Sequence, residues 1–316
     1  MLPRPDEYEM AADTLRAWAL DEALKERVMS DPALARAARR VAGRYTAGDT
    51  IDDAVASVRA SMARGHLGSI EYAGESVRDA DLAREETARF IALAAAIRES
   101  EVPSTVSFDL SHVGSVISYD LGLEHARQMA EATAPFGTAL MISAEGSGRT
   151  DLVLDLYDAL AADYSHVGIT LQARLHRTAA DLDRVLAHPG TVRLVKGAFL
   201  EPEGVAYRRG SIELTDSYLN LAARLLAAGQ PASFATHDSE LVEALVASHG
   251  DRLKSPDVEF EMLLGLGTTL LDRLHGEGYR TREYVIFGEE WWLYVLNRIA
   301  EQPGRFITAL ADLRSA

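Results

Sequence analysis

The sequence predicts an α/β fold, a (β/α)8 barrel of the TIM type over residues 65–316, with a helical segment over residues 1–64 packing on it. Three observations carry this reading. Eight short apolar runs of strand character recur along the chain. Helix-like stretches of about ten to twenty residues separate them, and such alternation implies a parallel sheet. Eight units suggest closure into a barrel. The third observation is a missing one. An open doubly wound sheet usually has a glycine-rich phosphate turn after its first strand. Here only Gly74-Glu75-Ser76 follows, with no G-x-G-x-x-G.

Residues 7–64 are dominated by Ala, Leu, Glu and Arg and read as helix. Within them Thr50, with Asp53 three positions on, resembles a helix N-cap. The first strand is expected at 67–73 and the next helix at 79–98, with Phe90, Leu93, Ala94 and Ile97 on its apolar face. Further strands are expected at about 104–110, 138–144, 167–172, 191–196, 232–236, 257–262 and 280–286. Helices are expected between them, among others at 119–132, 150–163, 178–187, 212–228 and 239–249.

Bulk composition narrows the function classes. A chain of 316 residues, 47% hydrophobic, can bury a large core. The absence of cysteine excludes disulfides, thiolate nucleophiles and Cys-ligated metal sites. No apolar run approaches the roughly 18 residues of a membrane span, and the first residues lack the apolar core of a signal peptide. No integral membrane segment and a cytoplasmic location are therefore expected. The net charge of −16 argues against a nucleic-acid partner. The histidines are scattered without ligand spacing, so no metal site is expected.

The stretch Thr191–Pro202 stands out. Arg193 and Lys196 interrupt a run that otherwise reads as a buried strand and stops at Gly197. Buried cations are costly unless an anionic or electron-rich group meets them. One reading is a pair of internal salt bridges. The other is a ligand site, which a terminal glycine would let come close. Barrel chemistry is built at the C-terminal ends of the strands. The polar residues expected there are Glu71, Tyr72, Asp109, Ser111, His112, Ser143, Glu145, Gln172, Arg174, Arg193, Lys196, Thr236, His237, Asp238, Glu259, Glu261 and Tyr284. His237, taken by itself, reads equally well as a satisfied core histidine.

Several of these residues lie in linked motifs. Arg193-Leu-Val-Lys-Gly-Ala-Phe-Leu-Glu-Pro202, Phe234-Ala-Thr-His-Asp238, Glu259-Phe-Glu-Met-Leu263 and Tyr284-Val-Ile-Phe-Gly-Glu-Glu-Trp-Trp-Leu-Tyr294 resemble strand-end motifs of the proline dehydrogenases. The resemblance extends from about residue 40 and includes Gly74–Val77 and Leu171-Gln-Ala173. It implies a distorted (β/α)8 barrel that binds FAD without a Rossmann fingerprint. It places Arg193 near the flavin N5, Lys196 near the flavin or its phosphates, and Gln172 at the isoalloxazine edge. Thr236 and His237 would hold the adenosine and pyrophosphate end, with Gly197 beside them. Arg193, Lys196, Tyr284 and Arg298 would form the catalytic centre.

The substrate side departs from the family. Asp109 stands where the resemblance implies lysine, Ser143 where it implies aspartate, and Asn297 replaces the first of two paired arginines, of which Arg298 survives. Phe199 replaces a tyrosine and Glu261 a common glutamine. With Leu263 these residues make up the expected substrate side. The lysine and paired arginines clamp the proline carboxylate in the family, because a planar carboxylate accepts paired charge-assisted bonds. Their loss points to a small-molecule amine or related C–N or N–N compound other than proline. The alternatives are proline itself on a rearranged carboxylate site, or a flavin-free relic without turnover. Phe199, Tyr284, Trp291 and Trp292 would wall off a dry pocket, although plain packing of the last helix is the weightier reading for the two tryptophans. A quinone, oxygen or a protein redox partner would accept the electrons.

Overall fold

The computed structural model describes residues 5–302 apart from 75, 137 and 138, together with 305 and 307. Among these residues eight parallel strands close into a barrel in chain order. They are β1 (Leu67–Tyr72), β2 (Ser104–Phe108), β3 (Leu140–Ile142), β4 (Val167–Gln172), β5 (Val192–Val195), β6 (Ala232–Ala235), β7 (Val258–Leu263) and β8 (Thr281–Phe287). Closure is made by β1 on β8, with Leu67 opposite Arg282 and Tyr72 opposite Phe287. Each strand lies within its expected run or one residue beyond it. Asp109 and Lys196 each fall one residue past a strand end, at the mouth. Glu75 and residue 138 lie outside the described residues.

The barrel wall follows the two-residue period of its strands. Ile70, Val106, Phe108, Ile142, Ile169, Leu194, Phe234, Phe260 and Val285 face outward into one buried apolar layer shared with the surrounding helices. Burial of each such side chain contributes about 1.5–3 kcal/mol. The alternate positions face inward, and many of them are polar or charged, among them Ser69, Ser107, Thr170, Arg193, Ser233 and Glu261. Arg193 of β5 reaches Ser69 of β1 and Ser107 of β2, which is only feasible through the barrel interior. The interior is therefore a hydrogen-bonded core, in contrast to the branched apolar filling usual in this fold.

The helical wall is α5 (Ala80–Glu99), α6 (Tyr119–Thr133), α7 (Thr150–Ala161), α8 (Thr178–Val185), α9 (Ile212–Ala228), α10 (Ser239–His249) and α11 (Thr268–Gly276). Among the described residues four helices precede the barrel: α1 (Pro5–Ala19), α2 (Glu22–Ser30), α3 (Pro32–Ala42) and α4 (Ile51–Ala63). Thr50 caps α4 as expected, its Oγ1 accepting from the Asp53 N–H at 3.1 Å while Asp53 accepts from the Thr50 N–H at 3.0 Å. Ala54, Val55 and Val58 of α4 join the main apolar layer against β1 and β8. Gly68 permits this approach, since a Cβ there would lie 2.3 Å from Val58 Cγ1.

The last helix, α12 (Trp292–Glu301), breaks the pattern. It packs on α1, and its Trp292, Val295 and Ile299 share a second apolar cluster with Ala12, Leu15, Ala42 and Tyr45. So α4 backs β8 and β1, where the eighth wall helix would stand, and α12 with its Asn297 and Arg298 is freed for the mouth. This is the distortion that the resemblance implied. Trp291 and Trp292 belong to the α1–α12 packing and do not line a pocket with Tyr284; the Trp292 indole N–H donates to the Trp18 carbonyl at 3.0 Å.

Candidate active site

Buried charge organises the mouth of the barrel. The Arg193 guanidinium, 3% exposed, meets the Glu261 carboxylate at two points, Nε to Oε2 at 2.8 Å and Nη2 to Oε1 at 2.9 Å. Nη2 also donates to Ser69 and Ser107 at 3.0 Å each. Burial pushes the Glu261 pKa up, but Arg193, Arg282 and the Ser233 hydroxyl outweigh it and hold the group below its ordinary value. Lys196 likewise bonds Asp238, which also caps α10 through the Glu240 and Leu241 N–H groups. Both bases thus have internal carboxylate partners, the salt-bridge reading of the strand. That reading does not exclude a ligand. Arg193 Nη1 has no hydrogen-bond acceptor among the described residues, and Lys196 stays one-third exposed.

Glu71, at the end of β1, forms the second hub. It accepts from the Tyr284 hydroxyl and from Ser143 Oγ at 2.7 Å, joining β1, β3 and β8. The Tyr284 ring lies under the Arg193 guanidinium at 4.7 Å, so both hubs meet on one side chain. Asp109 sits beside them with no hydrogen-bond donor to its carboxylate among the described residues. Burial, Glu71 and Glu145 together push its pKa well above the ordinary carboxylate value.

The expected cofactor residues line the C-terminal ends of β4, β5 and β6. The Gln172 side-chain N–H donates to the Glu145 carbonyl at 2.8 Å, which commits its amide nitrogen and leaves its Oε1 as an acceptor. Gly197 has a φ of +113°, and a Cβ there would stand 3.1 Å from that same Oε1. Thr236 Oγ1 accepts from the Asp238 N–H at 3.2 Å. His237 Nε2 accepts from the Leu263 N–H at 2.9 Å, so Nδ1 carries the ring proton. Burial, helped by Arg298 and Arg305, lowers the His237 pKa to about 3, and the ring is neutral. This donor set fits a flavin dinucleotide: a glycine cradle and an amide acceptor for the ring edge, with a lysine, a hydroxyl and a neutral N–H donor for the anionic end. Leu263 enters through its backbone, as the anchor of His237.

Arg298 pairs with Glu301 at 2.9 Å and lies over the Tyr294 ring at 5.5 Å. Asn297 is half-buried beside it on α12. Phe199 departs from the expected dry wall: it is 41% exposed on the loop after β5, and its contribution is a carbonyl that accepts from Arg174 and Arg209. Glu259 lies deeper than expected and pairs with Arg282, which also bonds the Gly68 carbonyl. Tyr72 and His112 stack on each other and face Arg89 and Glu86 of α5, outside the mouth. Glu71 and Glu145 stood among the strand-end residues but without a role. Tyr294 ends one of the linked motifs, which assign it no role, and it lies one helical turn before Arg298. Arg209 gave no signal, being half of an Arg-Arg pair in a polar loop.

Known proteins share both the sequence pattern and the fold of this chain. The family model described as proline dehydrogenase matches residues 54–301. Proline dehydrogenase 1 of Bacillus subtilis subsp. natto is 33% identical over 271 residues, covering 83% of this chain and 87% of that protein. Proline dehydrogenase 2 of Bacillus subtilis (strain 168) is 30% identical over 278 residues, covering 87% and 91%. The Deinococcus radiodurans proline dehydrogenase is 32% identical over 271 residues, covering 83% and 86%. Among solved structures, proline utilization A from Bdellovibrio bacteriovorus inactivated by N-propargylglycine superposes with a TM-score of 0.79 at 18% identity. That superposition covers 93% of this chain and 36% of the longer protein, and it shows the shared fold. With a family match over most of its length and relatives at 30% identity or more, the chain is an oxidoreductase that belongs to the proline dehydrogenase family.

Proposed function

We propose that this chain oxidises proline at the ring carbon beside nitrogen, with FAD as its cofactor. The observation that carries the proposal is the match to relatives named proline dehydrogenase along nearly their whole length. Those names favour proline over the different amine expected from Asp109, Ser143 and Asn297. Bound FAD would supply the two-electron acceptor for the hydride. As the C–H bond breaks, the nitrogen lone pair forms the C=N bond, and the nitrogen proton passes to a base or to water.

The residues of the chain have separable tasks in this scheme. Gln172 Oε1 and the bare backbone at Gly197 would receive the edge of the flavin ring, while Lys196, Thr236 and His237 would hold its phosphates and adenosine. Arg193 is fixed by Glu261, Ser69 and Ser107, so its free Nη1 offers positive charge at no further cost in ordering. Tyr284, oriented by Glu71, would form one wall of the substrate site. Arg298 would bind the carboxylate. Holding the substrate C–H against its acceptor is the main contribution that such a site makes.

A second reading rests on one feature. Asp109, Glu71 and Glu145 converge at the mouth, and that field suits a cationic amine without a carboxylate. Anaerobic mixing of the FAD-loaded protein with proline, hydroxyproline, pyrrolidine and linear amines separates the two. Rapid bleaching of the flavin by proline is the expected result. Bleaching by pyrrolidine or a linear amine but not by proline would establish the second reading, and bleaching by none would overturn both.

A further inference from the structure

We infer that Arg209, on the loop between β5 and α9, is the second arginine holding the substrate carboxylate, opposite Arg298. This rests on the proline reading above and deepens it. Asn297 leaves α12 with one guanidinium, and Asp109 offers no cation from β2. A planar carboxylate is held well by two charged donors and poorly by one.

Two buried atoms point to the replacement. Among the described residues, Arg209 and Arg298 are the arginines whose Nε atoms are sealed from solvent with no hydrogen-bond partner. Such donors cost about 1–3 kcal/mol each when unpaired, so native proteins seldom keep them without a use. Each guanidinium is anchored at its other end. Arg209 Nη2 donates to the carbonyls of Ala198 and Phe199, the latter at 3.2 Å, and Arg298 Nη2 pairs with Glu301 at 2.9 Å. The heads are therefore positioned by Nη2, while Nε and Nη1 of each have no acceptor among the described residues.

The surrounding charge agrees. Burial lowers the Arg209 pKa, and Arg174, Arg16 and Arg298 lower it further against the pull of Glu301. Glu301 is shared among Arg298 and, at 3.8 Å, Arg305. The surplus is positive, and one more carboxylate would offset it. The pair also lies near the proposed chemistry. Arg298 acts on His237, and the Tyr294 ring beside Arg298 feels Glu71, which orients Tyr284.

The shared chemistry is an oxyanion, from the substrate carboxylate or from the diphosphate of FAD. The carboxylate is the better match, because Lys196, Thr236 and His237 already converge on the diphosphate side. The test is titration of FAD-loaded protein with cyclopentanecarboxylate, followed by flavin absorbance. This probe has the ring and the carboxylate but no nitrogen to oxidise, so the readout needs no turnover. Wild type and Arg208→Met should bind alike, since Arg208 is exposed and removes the same charge. Arg209→Met should bind about 10- to 100-fold more weakly, and Arg209→Lys, which keeps the charge but not the fork, should fall between. The inference is overturned if wild type does not bind, if both Arg209 variants bind as wild type does, or if Arg208→Met weakens binding equally. It is also overturned if the Arg209 variants purify without FAD, which would assign the residue to the diphosphate. Binding by wild type without flavin reduction by proline would instead sink the functional reading alone.

Discussion

Arg193 of β5 and Glu261 of β7 form a two-point ion pair inside the barrel, at 2.8 and 2.9 Å, with the Tyr284 ring 4.7 Å from the guanidinium carbon. The pair explains how a strand otherwise built of apolar residues tolerates an arginine. Its charge is neutralised locally, and two serines take a further donor. Replacing a buried pair with apolar residues can be neutral, whereas removing one partner strands the other.

Glu261→Gln strands Arg193, although glutamine is the residue that the family resemblance places here. The expected loss is about 3–5 kcal/mol in urea denaturation near neutral pH. The folded-state pKa of Glu261 is depressed below its ordinary 4.5, so its contribution is present above that pH and is lost as the pH falls through the folded value. The difference between wild type and variant should therefore shrink below pH 4.5. A difference that stays constant down to pH 3 would contradict the ion-pair account.

His237 is buried neutral, with a folded pKa of about 3 against an ordinary 6.5. The unfolded chain binds the proton first, so stability is full above pH 6.5 and is lost as the pH falls toward 3. His237→Gln keeps an acceptor for the Leu263 N–H without titrating. Thermal denaturation of this variant should depend less on pH than that of wild type between pH 6.5 and 4. Parallel curves would mean that other groups set the acid limit.

Asp109 has a raised pKa, so its folded state favours the protonated form and is penalised increasingly as the pH rises above 3.8. Asp109→Asn should accordingly show a higher urea midpoint than wild type at pH 8 and lose that advantage near pH 4. The double change Asp109→Lys with Asn297→Arg rebuilds the family clamp. It should lower the KM for proline by at least about tenfold with a smaller change in kcat. If KM does not move, the carboxylate is bound elsewhere than at these two positions.

Gly197→Ala places a Cβ on a residue at φ +113° and 3.1 Å from Gln172 Oε1. The backbone conformation alone should cost about 1–2 kcal/mol. The displaced Gln172 should also reduce the FAD-to-protein ratio of purified material, which absorbance at two wavelengths measures. A variant with full FAD content would remove Gly197 and Gln172 from the cofactor site.

Fold class and element order were legible because the two-residue and 3.6-residue periods of burial are written into local sequence. Ile70, Phe108, Leu194 and Phe234 face outward in their strands whatever lies elsewhere in the chain. Position at the strand ends was legible for Gln172 and Lys196 for the same reason, whereas Tyr284 stands in the middle of β8. Partnership was not legible. Whether Arg193 meets Glu261 or a ligand, and whether α4 or α12 backs the junction of β8 and β1, depends on contacts between residues far apart in sequence. Burial then raises the cost of an unmatched charge, so the tertiary structure selects the partner that local sequence leaves open. By itself the sequence determined a barrel and the family, and it put some of the expected residues, such as Gln172 and Lys196, at the strand ends. Only the closed fold decided that Glu71 ties Tyr284 to Ser143 and that Arg193 and Lys196 are internally paired with Glu261 and Asp238.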